Sequence, residues 1–160
     1  MNLVVSDTTP LNYLILIGHI EVLGSLFKKV HVPPAVIREL QHAKAPPPVA
    51  AWAHNLPAWI EIQTRHLDLH LNVGTGEDEA ISLAVELGNA TLLADDWKAR
   101  AAAESRGLFT MGTITVLDLA DAAGLLDFED AASRLRATTF HIDSAVPDAV
   151  LAKVRARKQK

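Results

Sequence analysis

Three carboxylates stand directly behind short apolar runs. Asp7 follows Leu3-Val4-Val5-Ser6, and Asp95 and Asp96 follow Thr91-Leu92-Leu93-Ala94. Two more acidic points occur in apolar-periodic stretches: Glu39 in Val36-Ile37-Arg38-Glu39-Leu40, and Glu77-Asp78-Glu79 at the head of a long one. If the apolar runs are parallel strands, their carboxyl ends share one edge, where open α/β sheets place their ligands. Carboxylates gathered there repel one another, and a cation that neutralises them lets the arrangement persist. Oxygen-only donors suit Mg2+ or Mn2+ better than zinc. A hard dication at such an edge can activate water and stabilise phosphoryl oxygens, so phosphodiester hydrolysis is the reaction class expected. Each acid also has an ordinary reading. Asp7, Asp95 and Asp96 can cap helices, Glu77, Asp78 and Glu79 can favour the positive end of theirs, and Glu39 can be a solvated surface residue. Capping asks for one acid per helix, so the set exceeds what capping needs.

The elements that would position these acids read plainly. Leu3-Val4-Val5 is too short for a helix and rich in β-branched residues, as a strand buried on both faces is. Pro10 to Ile17 reads as a short helix with Thr8 or Thr9 as its cap and Gly18 closing it. His19 to Phe27 reads as another helix, Lys29 to Val32 as a strand, and Pro33-Pro34 opens a helix through Leu40. Residues 42–48 contain three successive prolines, which remove three backbone donors, and read as an exposed loop. Val49 to Asn55 reads as a helix and Trp59 to Ile62 as a strand. Glu77 to Leu87 is the strongest helix, closed by Gly88-Asn89. Thr91 to Ala94 is a strand, Trp97 to Arg106 a helix, Leu108 to Thr110 a strand. Thr113 to Ala123, Asp127 to Leu135 and Ala145 to about Lys158 make a helical C-terminal third. Strands alternating with helices imply a parallel sheet covered on both faces.

The 160 residues suit one domain, 1–160, and 49% hydrophobic content is enough for a core. A net charge of −4 gives no broad nucleic-acid-binding face. Lys153, Arg155, Arg157, Lys158 and Lys160 place five positive charges in the basic tail 153–160, and removing them from the total leaves −9 for residues 1–152. That tail reads as a frayed terminus or as a hold on RNA. There is no cysteine, which excludes disulfides and thiolate zinc sites. No signal-peptide pattern and no apolar stretch of about 18 residues are visible, so a cytoplasmic protein is expected. His66, Asp68 and His70 are metal-ligand types at workable spacing, but in a loop with no third ligand nearby. Trp52 and Trp59 flank the proline loop and read as core.

Taken in order, several stretches are similar to the PIN-domain family, in its toxin-like branch. They are Val4-Val5-Ser6-Asp7-Thr8-Thr9-Pro10-Leu11, Val32-Pro33-Pro34-Ala35-Val36-Ile37-Arg38-Glu39-Leu40, Gly76-Glu77-Asp78-Glu79-Ala80-Ile81-Ser82-Leu83-Ala84, Leu92-Leu93-Ala94-Asp95-Asp96-Trp97-Lys98-Ala99-Arg100, and the vicinity of Met111-Gly112-Thr113. The resemblance implies a PIN-like three-layer α/β/α fold with a central, mostly parallel sheet. It implies a Mg2+- or Mn2+-dependent endoribonuclease, the toxin of a toxin–antitoxin pair, held by a cognate antitoxin and forming a homodimer. Asp7, Glu39 and Asp95 match the family's acids, with Asp96 beside them, and Thr8 or Thr9 matches a hydroxyl that helps hold the site. Lys98 and Arg100 follow the acidic pair and read equally as contacts to RNA phosphates or as a solvated helix face.

Among Glu77, Asp78 and Glu79 the resemblance leaves the match open: many PIN domains carry an acid at the position of Asp78, whereas the toxin-like branch points to Glu77 and Glu79. Helical geometry, at about 100° per residue, puts Glu77 almost on the apolar stripe, Asp78 on its shoulder and Glu79 well away. The alternative function is a PIN-like RNA-binding or regulatory subunit with little nuclease activity. A phosphatase of the haloacid dehalogenase type also opens on a strand-end Asp, but its second acid would fall at position 9, which is Thr.

Overall fold

The computed structural model describes residues 3–140 and 145–159; Met1, Asn2 and Lys160 of the basic tail lie outside them. Five strands, β1 (Leu3–Ser6), β2 (Val30–Val32), β3 (Ile60–Ile62), β4 (Ala90–Leu93) and β5 (Phe109–Met111), form a sheet in the order β3-β2-β1-β4-β5. Every pairing is parallel. The helices are α1 (Thr8–Leu16), α2 (Val22–Phe27), α3 (Pro34–Gln41), α4 (Pro47–Ala53), α5 (Thr75–Leu87), α6 (Trp97–Glu104), α7 (Thr113–Ala122), α8 (Phe128–Arg136) and α9 (Ala145–Lys158).

Alternation along each strand sends neighbouring residues to opposite faces. Val4 and Leu93 enter one core with Leu11, Leu14, Val36, Leu40, Leu117 and Phe128, from α1, α3, α7 and α8. Val5 and Leu92 enter the other with Ala80, Ile81, Leu83 and Ala84 of α5 and Ala99 and Ala103 of α6. The expected α/β/α layering is therefore present, and the sheet is wholly parallel among the described residues.

Several boundaries differ from expectation for local reasons. α1 begins at Thr8, because Asp7 itself is the cap and accepts the Thr8 N–H at 2.7 Å, so neither threonine caps the helix. α4 begins at Pro47, inside the stretch expected to be loop, with Pro46 as its cap. Prolines fit there because first-turn N–H groups have no helical partner to lose. α2 starts only at Val22, after a turn through Ile20-Glu21. α5 closes on Gly88, whose φ of 72° lies where glycine alone pays no steric penalty.

The tail does not fray through its described length. α9 buries Val154 and lays its basic residues on acids of α7 and α8. Those charges are paired within the chain, though Lys153 and Arg155 stay exposed. Trp52 and Trp59 pack against the first core, as expected. Among the described residues no helix is long and apolar enough to cross a membrane.

Candidate active site

The site grows from one feature of the topology. Chain order leaves β1 in both directions, to β2 on one side and to β4 on the other, which makes the β1/β4 pair the switch point where a crevice opens. Register Ser6↔Leu93, extended by the Asp7 N–H donating to the Leu93 carbonyl at 2.9 Å, sets Asp7 beside the exit of β4. Asp95 and Asp96 follow at that exit.

Each carboxylate is held by the helix that begins near it. Asp7, only 4% exposed, caps α1. Asp96 caps α6, accepting the Ala99 N–H at 3.0 Å. Asp95 accepts the Thr113 N–H and the Thr113 hydroxyl, both at 2.7 Å, at the first turn of α7. Glu39, on α3, accepts the Gly76 N–H at 3.0 Å and the Thr8 hydroxyl, tying α3 to α1 and α5. Glu77 is the third residue of α5 and takes a hydrogen bond from the backbone N–H of Gly74, as the acid of a capping box does. Its Oε2 is buried with no hydrogen-bond partner among the described residues. Capping and clustering are thus not alternatives here: the helix starts are what aim the acids at the crevice.

Electrostatics show that the carboxylates feel one another. Burial pushes the Asp7 carboxyl up to about 7, with Glu77, Glu39 and Asp95 adding to the rise and the Thr8 N–H opposing it. Burial also raises Glu77, reinforced by Asp96 and Glu39. Asp95 is raised by burial and held back by the Thr113 bonds and the Arg100 charge.

One expected metal-site residue stands elsewhere. Glu79 lies away from the crevice. It meets the Ala35 N–H at 3.3 Å and stands 3.6 Å from Arg38 and 3.7 Å from Arg65, because two residues along α5 carry it about 200° around the helix. Arg100 is half-buried, donates to the Thr110 hydroxyl at 3.2 Å and lends its charge to Asp95. Thr8 binds Glu39, whereas Thr9 borders a cleft of about 450 Å3 that also meets Asp95, Asp96, Tyr13, Trp97, Thr139 and Phe140. Lys98 is exposed. Asp78 accepts the Leu71 N–H at 3.3 Å and so braces the loop before α5.

Sequence reasoning missed Thr113, the Gly76 N–H and the aromatic cleft. A glycine before threonine at a helix start was visible, but the acid that Thr113 binds lies 18 residues upstream. His66 and His70 lie in the loop as expected, and His70 stands 3.5 Å from Asp68.

Among the described residues no three acid or histidine side chains are gathered tightly enough to form a ready metal cage. The residues nevertheless fit a hard dication. The donors are carboxylate oxygens alone, one of them buried and unpartnered, and Mg2+ keeps several waters while taking only one or two protein carboxylates. Asp7 and Glu77 would hold it, with Asp95 and Asp96 beside them.

A family model described as PIN domain matches residues 3–156. No curated protein matches the chain. Among solved structures, a PilT N-terminus domain protein from the hyperthermophilic archaeon Sulfolobus solfataricus P2 is 22% identical, with a TM-score of 0.49, over 89% of this chain and 100% of that one. With nearly its whole length matched by that family model, the chain belongs to the PIN-domain family.

Proposed function

We propose that the chain is a Mg2+- or Mn2+-dependent endoribonuclease that serves as the toxin of a toxin–antitoxin pair. PIN domains are generally nucleases and generally bind divalent metals. The observation that carries the reading is a carboxyl buried to 4% exposure at the switch point of the sheet, with Glu39, Glu77 and Asp95 close enough to raise its proton affinity. A buried acid is costly to keep, and the three further carboxylates beside it raise that cost.

When bound, the cation neutralises these carboxylates, activates water and stabilises phosphoryl oxygens. The chain's own residues set the stage. Asp7 holds its proton to about neutral pH in the metal-free site, so cation and proton compete for it. Glu77 Oε2, buried and without a hydrogen-bond partner among the described residues, is the oxygen free to hold the cation. Glu39 is clamped between the Thr8 hydroxyl and the Gly76 N–H, and Asp95 is locked by Thr113, so both present charge without having to reorganise.

The purified protein is expected to cut single-stranded RNA with Mg2+ or Mn2+ and to stop with a chelator. Asp7→Asn should reduce cleavage to background while preserving the fold, since it removes charge but little volume and keeps a capping side chain. Undiminished cleavage by Asp7→Asn overturns the reading, and RNA binding without any cleavage by the wild type favours the regulatory-subunit alternative.

The reading extends to a cytoplasmic homodimer restrained by an antitoxin. Leu119, Leu125 and Val146, all in the helical C-terminal third, are 36%, 41% and 48% exposed and supply apolar surface for a second copy. An Arg or Lys from an antitoxin segment would satisfy the same carboxylates that attract the cation. Sedimentation at micromolar concentration should show the dimer; a strict monomer removes that part. Growth arrest on expression, relieved by the small protein of the neighbouring reading frame, tests the antitoxin.

A further inference from the structure

On one flank the acidic edge opens into the 450 Å3 cleft, within the range of about 300–1,000 Å3 typical of small-ligand sites. It is lined by Thr9, Asp95 and Asp96 and by the rings of Tyr13, Trp97 and Phe140. Trp97 is the first residue of α6, directly after Asp96, and is 72% exposed. Its ring is therefore open to a ligand beside the carboxylates.

The other two rings are held in place. Tyr13 and Phe140 meet edge to face, with centroids 4.9 Å apart and planes at 84°. The Tyr13 and Thr139 hydroxyls are hydrogen-bonded at 2.8 Å. The cleft therefore combines aromatic rings, two of them held by their own contacts, with the carboxylates of Asp95 and Asp96.

That chemistry selects its occupant. These carboxylates repel a phosphate that brings no cation. A nucleobase is uncharged, planar and stacks on aromatic rings whatever its sequence. In a strand whose phosphate is drawn to the acids through a cation, the adjoining base is the group that reaches the cleft.

Resting on the ribonuclease reading of this site, the geometry points to a base-stacking subsite: the cleft takes one unpaired nucleobase of the RNA strand, with Trp97 as its platform. Entry requires an unstacked base, so the subsite restricts the enzyme to single-stranded or looped RNA. Its stacking confers little preference among the four bases.

Fluorescence anisotropy of the full chain with a labelled hexaadenylate tests this, with Ca2+ replacing Mg2+ and the oligonucleotide checked for integrity on a gel. Trp97→Ala should weaken binding by roughly 5- to 150-fold, the span of one base–aromatic stack. Trp97→Phe should recover most of the loss. An abasic hexamer carrying the same phosphates should bind the wild type as poorly as hexaadenylate binds Trp97→Ala. Because Trp97 is exposed, its variants should melt with the wild type.

Equal binding of the abasic and adenine hexamers, an unchanged Kd in Trp97→Ala, or no binding by the wild type overturns the subsite. So does a Trp97→Ala variant whose one change is a shift from dimer to monomer, which would make the cleft a contact between copies. Stacking through Trp97 without metal-dependent cleavage would leave the subsite standing and remove the ribonuclease. Cleavage with Trp97-independent binding would do the reverse.

Discussion

Gly76 leaves no room for a side chain. A Cβ there would fall 2.6–2.8 Å from the carboxylate of Glu39, which its N–H now holds at 3.0 Å. Glu39 ends a flexible side chain on an exposed residue, so it can give way at little cost to the fold. Alanine also raises helix propensity over glycine by roughly 0.5–1 kcal/mol. Gly76→Ala should therefore keep or slightly raise the thermal midpoint. Because a misplacement of about 1 Å can cost about 10²-fold in rate, it should lower metal-dependent cleavage by about that factor. Paired melting curves and initial rates check this, and an unchanged rate would mean that Glu39 takes no part. The same clamp shows why a glycine opens this helix: the N–H must approach a carboxylate from the neighbouring helix.

At the scale of elements, α9 docks by charge as much as by apolar contact. Lys153 stands 2.8 Å from Asp118, Arg157 3.0 Å from both Asp118 and Asp121, and Lys158 3.1 Å from Asp121. Asp118 and Asp121 are buried, whereas Glu129, which pairs with Arg155, is exposed. Asp121 also accepts the Phe128 N–H at 2.8 Å, where α8 begins. Leaving that buried N–H unpaired costs about 1–3 kcal/mol, so Asp121→Ala should lower stability by at least that much in urea unfolding. Glu129→Ala should leave the midpoint nearly unchanged, as exposed pairs usually do. If the two variants behaved alike, burial would not be what gives this interface its strength. α5 teaches a related lesson. Its first three acids point three ways, Glu77 to the crevice, Asp78 to the preceding loop and Glu79 to α3 and two arginines.

For the whole molecule, metal-free stability should depend on pH through opposing groups. The folded Asp7 carboxyl sits at about 7 against an ordinary 3.8. A raised pKa means that the folded state holds more protons between those values, so this contribution is fully present below about 3.8 and is lost as pH rises to 7. Asp118 and Asp121 are lowered, although burial opposes it, because hydrogen bonds and the charges of α9 outweigh the desolvation. Their contribution is present above the ordinary carboxylate value and is lost below it. His19, lowered by burial beside Arg134, loses its contribution as pH falls through the usual histidine range. Comparing wild type with Asp7→Asn isolates Asp7. With EDTA at pH 8 the variant should be more stable by about 2–4 kcal/mol, and near pH 4 the difference should vanish. Adding Mg2+ or Mn2+ should narrow the gap by stabilising only the wild type. A gap independent of pH would mean that Asp7 is not held protonated by its surroundings.

What the sequence determined by itself was local. Strand-end acids at Asp7 and Asp95-Asp96, the alternation of Leu92 and Leu93, and the helical stripe that carried Glu77 follow from residue periodicity and from cap chemistry within a few positions. They were enough to place a parallel α/β/α fold and to name the edge where the acids stand. They were not enough for Pro47 and Pro48, read as loop because the first turn's tolerance of proline was overlooked. Tertiary structure alone decided the rest. Thr113 locks Asp95 across 18 residues, Gly76 holds Glu39 across 37, and Arg157 reaches Asp118 across 39. Nor could spacing along the chain bring Trp97 and Phe140 to one cleft with Tyr13. Periodicity follows from covalent geometry repeated residue by residue; which side chains meet across such separations is settled only when the sheet order and the packing of helices on it are complete.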